Sequence, residues 1–243
     1  MGDGRLRRAS RVLLVPAALA GAAGLAGLTA CSGGSGNSAG ATASASAAKA
    51  LSGGFTAGEL RGALLTKVNG VAAAMPASVG RYASLPGTST GQAAAGTAKV
   101  TPKACAGAAI QGFDPAALAG AQAAAVTFKV AGNRVSEVVI GSAAQVASAA
   151  LAGKVPAQCA TYAEKVDGKT FKYTVTEKAV AGIGQQAKEL NVHAVGAGND
   201  SWSLIYRGKG FVGTVTVIGP NASDKAVKEL GQQAYAFAAK TLS

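Results

Sequence analysis

The feature that most restricts the fold of this chain is a series of segments in which apolar and polar residues alternate. A period of two places apolar side chains on one face of a β-strand and polar side chains on the other. Short turns that contain glycine, at residues 131–133 and 207–210, join neighbouring segments as hairpins. Because hairpins pair strands in antiparallel fashion, we predict an antiparallel sheet. Its predicted strands cover residues 125–130, 134–140, 170–176, 187–195, 201–207 and 211–218.

Helical patterns flank these strands. Thr56 and Glu59 have the spacing of a capping box, and apolar residues then recur at helical spacing, which predicts a helix over about residues 57–74. Helices gathered towards the two ends of a hairpin sheet indicate the α+β class, with the sheet packed against N- and C-terminal helices. The other predicted helices cover about residues 115–121, 142–151, 156–165 and 222–241.

The N-terminus has the parts of an export signal. Arginines at positions 5, 7, 8 and 11 form a positive region, and Val12–Leu28 carries no charge. That apolar run has the length of a signal-peptide core and is short for a membrane-spanning helix. Small residues, Thr29 and Ala30, follow it and stand directly before Cys31. This order predicts that the leader is cleaved.

Leu28-Thr29-Ala30-Cys31 resembles the lipobox of bacterial lipoproteins, an aliphatic residue and two small ones before a cysteine. The resemblance implies that Cys31 receives diacylglycerol, that residues 1–30 are removed, and that Cys31 becomes the new N-terminus. It also implies a protein anchored by lipid on the extracytoplasmic face of the cell membrane. Two alternatives remain: an uncleaved anchor helix with an incidental cysteine, and secretory cleavage without lipid.

Residues 31–54 form the second predicted region, a lipidated cysteine followed by a Gly/Ala/Ser-rich stretch with no apolar period. Such a composition predicts a disordered linker, because it buries too little apolar surface to offset the entropy of ordering. Its low-complexity part, Ser32–Ala50, typically reaches about 25 Å from end to end as a coil. Residues 55–243 then form a single α+β domain.

The net charge of the chain limits the classes of partner that it is expected to bind. Of 23 basic and 11 acidic residues, four arginines and Asp3 lie in the leader, which leaves 19 and 10 and a net charge of about +9. The lysines are spread along the chain, so no run of basic residues indicates a nucleic acid partner. An exported basic domain is more consistent with anionic lipid headgroups or cell-wall polymers, although a merely solvated basic surface is the simpler interpretation.

Cys105 and Cys159 remain once Cys31 is lipidated. In an exported domain two cysteines have one pairing, so we predict a disulfide between them. It would close a loop of about 55 residues and stabilise the fold by about 4 kcal/mol. The alternative is a free thiol that acts as a nucleophile with His193.

The domain also resembles actinobacterial sensor-type lipoproteins related to the extracellular domain of the mycobacterial serine/threonine kinase PknH. The shared features are the opening helix at residues 55–65, the paired cysteines, the Gly182-Ile183-Gly184 turn, the hairpins and the final helix. The resemblance covers roughly residues 55–240 and implies the binding of an extracytoplasmic ligand.

No catalytic or cofactor site is predicted. The Gly182–Ala187 stretch matches a dinucleotide fingerprint, but too few residues follow it for the crossover helix that a nucleotide site needs. His193 has no metal-ligand spacing around it, and no nucleophile elbow is present. Paired carboxylates stay open as a third option, from Glu137, Glu164, Asp167, Glu177, Glu189 and Asp200.

The predicted function is ligand binding by a sensor-type domain outside the membrane. Trp202, Tyr206 and Phe211 could line a groove for a small apolar or cell-envelope ligand, although aromatic residues on strands are more often core. The alternative is a lipid or glycolipid carrier that encloses an acyl chain in an apolar cavity.

Overall fold

A nine-stranded antiparallel sheet forms the centre of the protein. The computed structural model describes residues 53–88, 98–107, 111–166, 168–196 and 200–243. The predicted leader, Cys31 and most of the predicted linker lie outside these ranges. The described strands are β1 (Lys67–Val68), β2 (Val71–Ala72), β3 (Ser78–Arg81), β4 (Lys99–Thr101), β5 (Gln122–Val130), β6 (Asn133–Gly141), β7 (Thr161–Val166), β8 (Lys169–Val180), β9 (Gln186–Ala194), β10 (Asp200–Arg207) and β11 (Phe211–Gly219).

The strand order in the large sheet is β3-β5-β6-β11-β10-β9-β8-β7-β4, and every neighbouring pair is antiparallel. Consecutive hairpins supply most of these pairs, while β6 and β11 join the two hairpin groups. β1 and β2 form a separate small hairpin. The helices are α1 (Ala57–Gly62), α2 (Ala144–Ala152) and α3 (Asp224–Thr241). The α+β prediction is therefore confirmed as a largely antiparallel sheet with a few helices.

The two faces of the sheet are covered by different elements. On one face, here called the helix face, α1 and α3 cover β5, β6, β10 and β11, and the core includes Leu60, Phe128, Leu204, Phe211 and Val227. On the opposite face, α2 and short 3-10 turns bury a second set that includes Tyr82, Leu118 and Ile205. Each strand alternates between the two sets, which is why both faces of the central strands are apolar.

Small residues let α3 approach the sheet closely. A Cβ atom at Gly213 would collide with the ring of Tyr206, and one at Gly231 would collide with the side chain of Leu204. Side chains therefore fill the space between α3 and the sheet at these two positions. The lipid-carrier alternative requires an apolar cavity, and these positions do not support one.

The first predicted helix is much shorter than its sequence pattern. The capping box is present, since Thr56 Oγ1 accepts from the N–H of Glu59 and the Glu59 carboxylate accepts from the N–H of Thr56. The helix nevertheless ends at Gly62. Asn69 and Gly70 both have positive φ, 49° and 78°, and form the turn between β1 and β2. The prediction of a helix to residue 74 is wrong because this Asn-Gly pair makes a hairpin turn.

Two other predicted helices are also wrong in extent or type. The alanine-rich segment after Pro115 is only a 3-10 turn, Ala116–Leu118. Residues 156–165 form a second 3-10 turn, Ala157–Cys159, followed by strand β7. Pairing with β8 and burial of Tyr162 override the helical propensity of this segment. Helices α2 and α3 are found where they were predicted.

Among the described residues, no helix combines the length and apolar character needed to cross a bilayer.

Candidate functional site

One end of the helix face, formed by three of the nine strands, is not covered by the helices. Helix α3 packs on β10 and β11, whereas the helix-face side chains of β4, β7 and β8 are exposed or half-buried. The strand registers place these side chains on one continuous surface, which we call the open face. It consists of Lys99, Thr101, Thr161, Ala163, Lys165, Thr170, Lys172, Thr174 and Thr176. Because antiparallel sheets often leave one face to solvent, this polar surface needs no covering element.

Three lysines make the open face basic. Lys99 lies directly opposite Lys165 in the pairing of β4 with β7, and Lys172 lies on β8, opposite Ala163. All three are exposed, and none forms a salt bridge with a described carboxylate. Like charges directly opposite each other in a sheet destabilise it slightly. The arrangement would be relieved by a bound anion.

A cluster of four charged side chains lies at the border between the open face and the part of the helix face that α3 covers. Lys178 Nζ lies 2.9 Å from Glu189 Oε1 and 3.4 Å from Asp224 Oδ1. Lys228 Nζ lies 2.6 Å from Asp224 and 3.6 Å from Glu189 Oε2. Asp224 stands in the first turn of α3, which Ser223 caps through Ala226 N–H. The cluster therefore fixes the start of α3 over β8 and β9.

The two carboxylates of this border cluster differ in proton affinity. Burial, followed by the hydrogen bond with Asp224, raises the pKa of Glu189. Hydrogen bonds from Glu189 and Lys228 lower the pKa of Asp224. Both acids have lysine partners, so the cluster is internally compensated. Among the described residues, this leaves Lys99, Lys165 and Lys172 as the lysines of the open face without a carboxylate partner.

Trp202 stands at the same border. It shares a cross-strand row with Asn191 and Thr176, and its ring centroid is 5.9 Å from Lys178 Nζ. Its indole Nε1 is buried and finds no acceptor among the described residues. The side chain as a whole is half-buried, so one edge of the indole stays near solvent beside the open face.

His193 pairs with Asp200 in the next row, with Nδ1 2.5 Å from Oδ1. Thr174 is the neighbour of His193 on β8. The alternative in which His193 activates a free thiol is wrong, because Cys105 and Cys159 are bonded to each other. The pair instead contributes two polar side chains beside the open face.

The disulfide lies behind the open face. The Cα atoms of Cys105 and Cys159 are 5.3 Å apart, and both residues are buried. Their cluster includes Tyr162 and Tyr173, whose stacked rings have centroids 4.9 Å apart on the opposite face of β7 and β8. The crosslink ties the segment after β4 to the segment before β7. It therefore holds together the strands that carry the three lysines.

The predicted aromatic groove is not formed. Tyr206 and Phe211 are buried in the core under α3, where their ring centroids are 6.4 Å apart and Tyr235 packs against both. Alternation on β10 and β11 turns these rings toward the helix, so they line no surface. Of the three predicted groove residues only Trp202 reaches the border of an exposed surface.

Of the carboxylates in the predicted set, Asp167 lies outside the described residues, and Glu137 and Glu189 lie on the helix face. Glu137 and Glu189 are buried in one cross-strand row, with Val215 and Leu204 between them. Three strand spacings place their backbones about 14 Å apart. No group of three or more His, Cys, Asp or Glu side chains suited to a metal ion occurs in the described part of the chain.

Gly182 and Gly184 serve a turn. They lie between β8 and β9 with φ of 80° and 63°, and Gly184 lies so close to the backbone of Arg207 that a Cβ atom would collide with it. Strand β9 begins at Gln186, so no helix follows the glycines. The turn interpretation is supported over the dinucleotide fingerprint.

Sequence reasoning missed the open face because its lysines come from three strands. One signal was available: from Thr170 to Lys178 every second residue is Thr or Lys, while the intervening residues include Phe171, Tyr173 and Val175. This alternation predicts a polar face on β8. It does not predict that Lys99 and Lys165 lie on the same face, because neither segment alone determines the register in which β4 pairs with β7 and β7 pairs with β8.

Comparison with known proteins gives limited similarity. No protein-family model matches the chain, and no curated protein is significantly similar to it in sequence. Among solved structures, the extracellular domain of PknH from Mycobacterium tuberculosis is 17% identical with a TM-score of 0.42, covering 60% of this chain and 77% of that domain. A Mycobacterium smegmatis protein described as an Rv0999 ortholog is 14% identical with a TM-score of 0.31, covering 60% and 75%. At these values neither similarity carries a conclusion about binding or activity.

Proposed function

We propose that this chain is a lipid-anchored extracytoplasmic protein whose domain binds a cell-envelope ligand on the open face. The lipobox-like Leu28–Cys31 and the linker composition of residues 31–54 support the anchor. The observation that carries the binding role is the open face itself. Three of the nine strands have polar side chains on the helix face that are exposed or half-buried, and three lysines among them have no described carboxylate partner.

The chemistry of the open face favours a polar, anionic ligand over an apolar one. Hydroxyl groups of five threonines can donate and accept hydrogen bonds, and the lysines donate to anions. The aromatic residues expected to contact an apolar ligand are in the core, apart from Trp202. Binding on this surface requires no rearrangement of the sheet.

The anchor is tested by Cys31→Ala in cells. The wild-type chain should incorporate labelled palmitate, fractionate with membranes and enter the detergent phase, whereas the variant should lose all three properties. Unchanged fractionation of the variant would contradict the anchor.

Binding on the open face is tested by thermal unfolding of the purified anchored chain in detergent, with and without an extract of bacterial envelope. A ligand that binds only the folded state raises Tm, and the rise grows with the logarithm of the ligand concentration above Kd. Thr176→Glu places a negative charge on the open face and should abolish the rise, whereas Thr66→Glu, at another exposed site near α1, should retain it. An equal rise in both variants would place the ligand elsewhere.

A further inference from the structure

The open face carries three exposed lysines that form no salt bridge with a described carboxylate. Lys99, Lys165 and Lys172 project from three adjacent strands, and opposite residues in such strands have Cβ atoms about 5 Å apart. The described carboxylates near this half of the sheet have partners of their own: Glu189 and Asp224 have lysines, and Asp200 has His193. The surface is therefore suited to several anions at once.

Its apolar content is low. Among the described residues, the exposed large apolar side chains are Val71, Met75, Val79, Val195 and Phe237, and Val195 lies next to the open face. A surface with so little apolar area gains little from insertion between acyl chains. Binding of a ligand to the open face must therefore be largely electrostatic through the lysine ammonium groups, with hydrogen bonds from the threonine hydroxyls.

We propose that the open face docks on the anionic phospholipid headgroups of the membrane that holds the chain's own anchor. The inference rests on the proposed function and names the ligand class of the same face. A broad sheet surface with three lysines matches a layer of phosphates better than it matches one small anion, for which a concave site would be expected.

The position of the predicted anchor is compatible with docking. Gly53, where the described chain begins, lies against Gly210 and Ser142, at one end of β11 and β6. Strand β7 is four strand spacings from β11, about 19 Å. The linker predicted between Cys31 and this point typically reaches about 25 Å, so it can span that offset. Tethering also raises the local concentration of headgroups, which lets a weak surface act.

The test uses the processed, lipidated chain reconstituted into vesicles. One set contains phosphatidylcholine alone, and the other contains about a third phosphatidylglycerol, each with a trace of dansyl-labelled headgroup. The chain has one tryptophan, Trp202 at the border of the open face, so energy transfer from it to dansyl reports the distance of this face from the bilayer. Transfer should be high with phosphatidylglycerol, low without it, and should fall with salt as the Debye length shortens from about 30 Å at 0.01 M to about 3 Å at 1 M.

The decisive variant is K99E/K165E/K172E, and its matched control is K67E/K129E/K209E, which changes three exposed lysines elsewhere. Each lysine near an anionic surface strengthens association about fivefold, so losing three should lower the docked-to-undocked ratio about 100-fold at low salt. The control should keep most of the wild-type transfer. Equal transfer in both variants, or equal wild-type transfer in both vesicle types, would overturn the proposal. Should the glutamate variant unfold, K99Q/K165Q/K172Q gives the same comparison.

Two further experiments distinguish docking of the open face from membrane attachment by the anchor alone and from binding of a soluble anionic polymer. Flotation with pure phosphatidylcholine vesicles tests the anchor alone, and failure there contradicts the proposed function. If the chain fails to float with phosphatidylcholine, it is not anchored. In that case, flotation with phosphatidylglycerol vesicles that is abolished in K99E/K165E/K172E would still support docking of the open face. Lysine-dependent binding of soluble polyphosphate without any dependence on phosphatidylglycerol would overturn membrane docking in favour of an anionic polymer.

Discussion

The backbone N–H of Leu65 donates a 2.8 Å hydrogen bond to Oε2 of Glu137, a carboxylate buried on β6 beneath the segment that follows α1. Oε1 of the same group has no described partner. Burial raises the pKa of Glu137 to about 7, and the hydrogen bond from Leu65 opposes that rise only in part. A buried group of this kind makes folding stability depend on pH.

Glu137→Gln should reduce that pH dependence. Since the folded pKa is about 7 and the ordinary value is 4.5, the folded state binds the proton more tightly. Stability from this group is therefore complete below about pH 4.5 and is lost as the pH rises towards 7, by at most about 3 kcal/mol. Urea unfolding at pH 5 and pH 8 should show a smaller difference in the variant than in the wild type. Glu229→Gln, at an exposed position, should keep the wild-type difference; an unchanged difference in Glu137→Gln would contradict the assignment.

Lys188→Met should destabilise the fold by about 3 kcal/mol, because it leaves the carboxylate of Glu177 without its charge partner. Lys188 Nζ lies 3.0 Å from Glu177 Oε1 and also donates to the carbonyl of Gly153, while the N–H of Val155 donates to Glu177 Oε2. The double variant with Glu177→Gln should lose less than Lys188→Met alone. A double-mutant cycle in urea measures this coupling, and Lys225→Met, at an exposed site, should cost under about 0.5 kcal/mol. Additive losses would show that the pair is not coupled.

Removal of the disulfide should strongly lower the free energy of unfolding. The crosslink spans 54 residues, and loss of the loop constraint in C105A/C159A should lower the free energy of unfolding by about 4 kcal/mol. Dithiothreitol should destabilise the wild type and leave the variant unaffected in the same urea titration. If the reductant changed neither protein, the cysteines would not be crosslinked in solution.

The central hairpins could be predicted because their alternation is complete within each segment. Strands β5, β6 and β11 bury every second residue over most of their length, and the turn at Ala131 and Gly132 has positive φ at both residues, 48° and 82°. Strand β7 could not be predicted, because its residues carry helix-compatible chemistry and only pairing with β8 makes them a strand.

The candidate site was harder to predict than the fold. Lys188 and Glu189 read as polar residues of an exposed strand, yet both are buried because each finds an opposite charge on its own face of β9. Lys99 and Lys165 are separated by more than sixty positions, and only the register of the edge strand β4 on its neighbour β7 brings them together. Long-range pairing of this kind is a property of the whole sheet rather than of a local pattern.

The most direct test of the account is lysine acetylation of the anchored chain in its own membrane, read by mass spectrometry residue by residue. Lys99, Lys165 and Lys172 should be labelled more slowly in intact membranes than in detergent, whereas Lys67, Lys129 and Lys209 should be labelled at the same rate in both. Equal rates for the two groups of lysines in membranes would contradict the claim that the open face is the surface through which this protein binds.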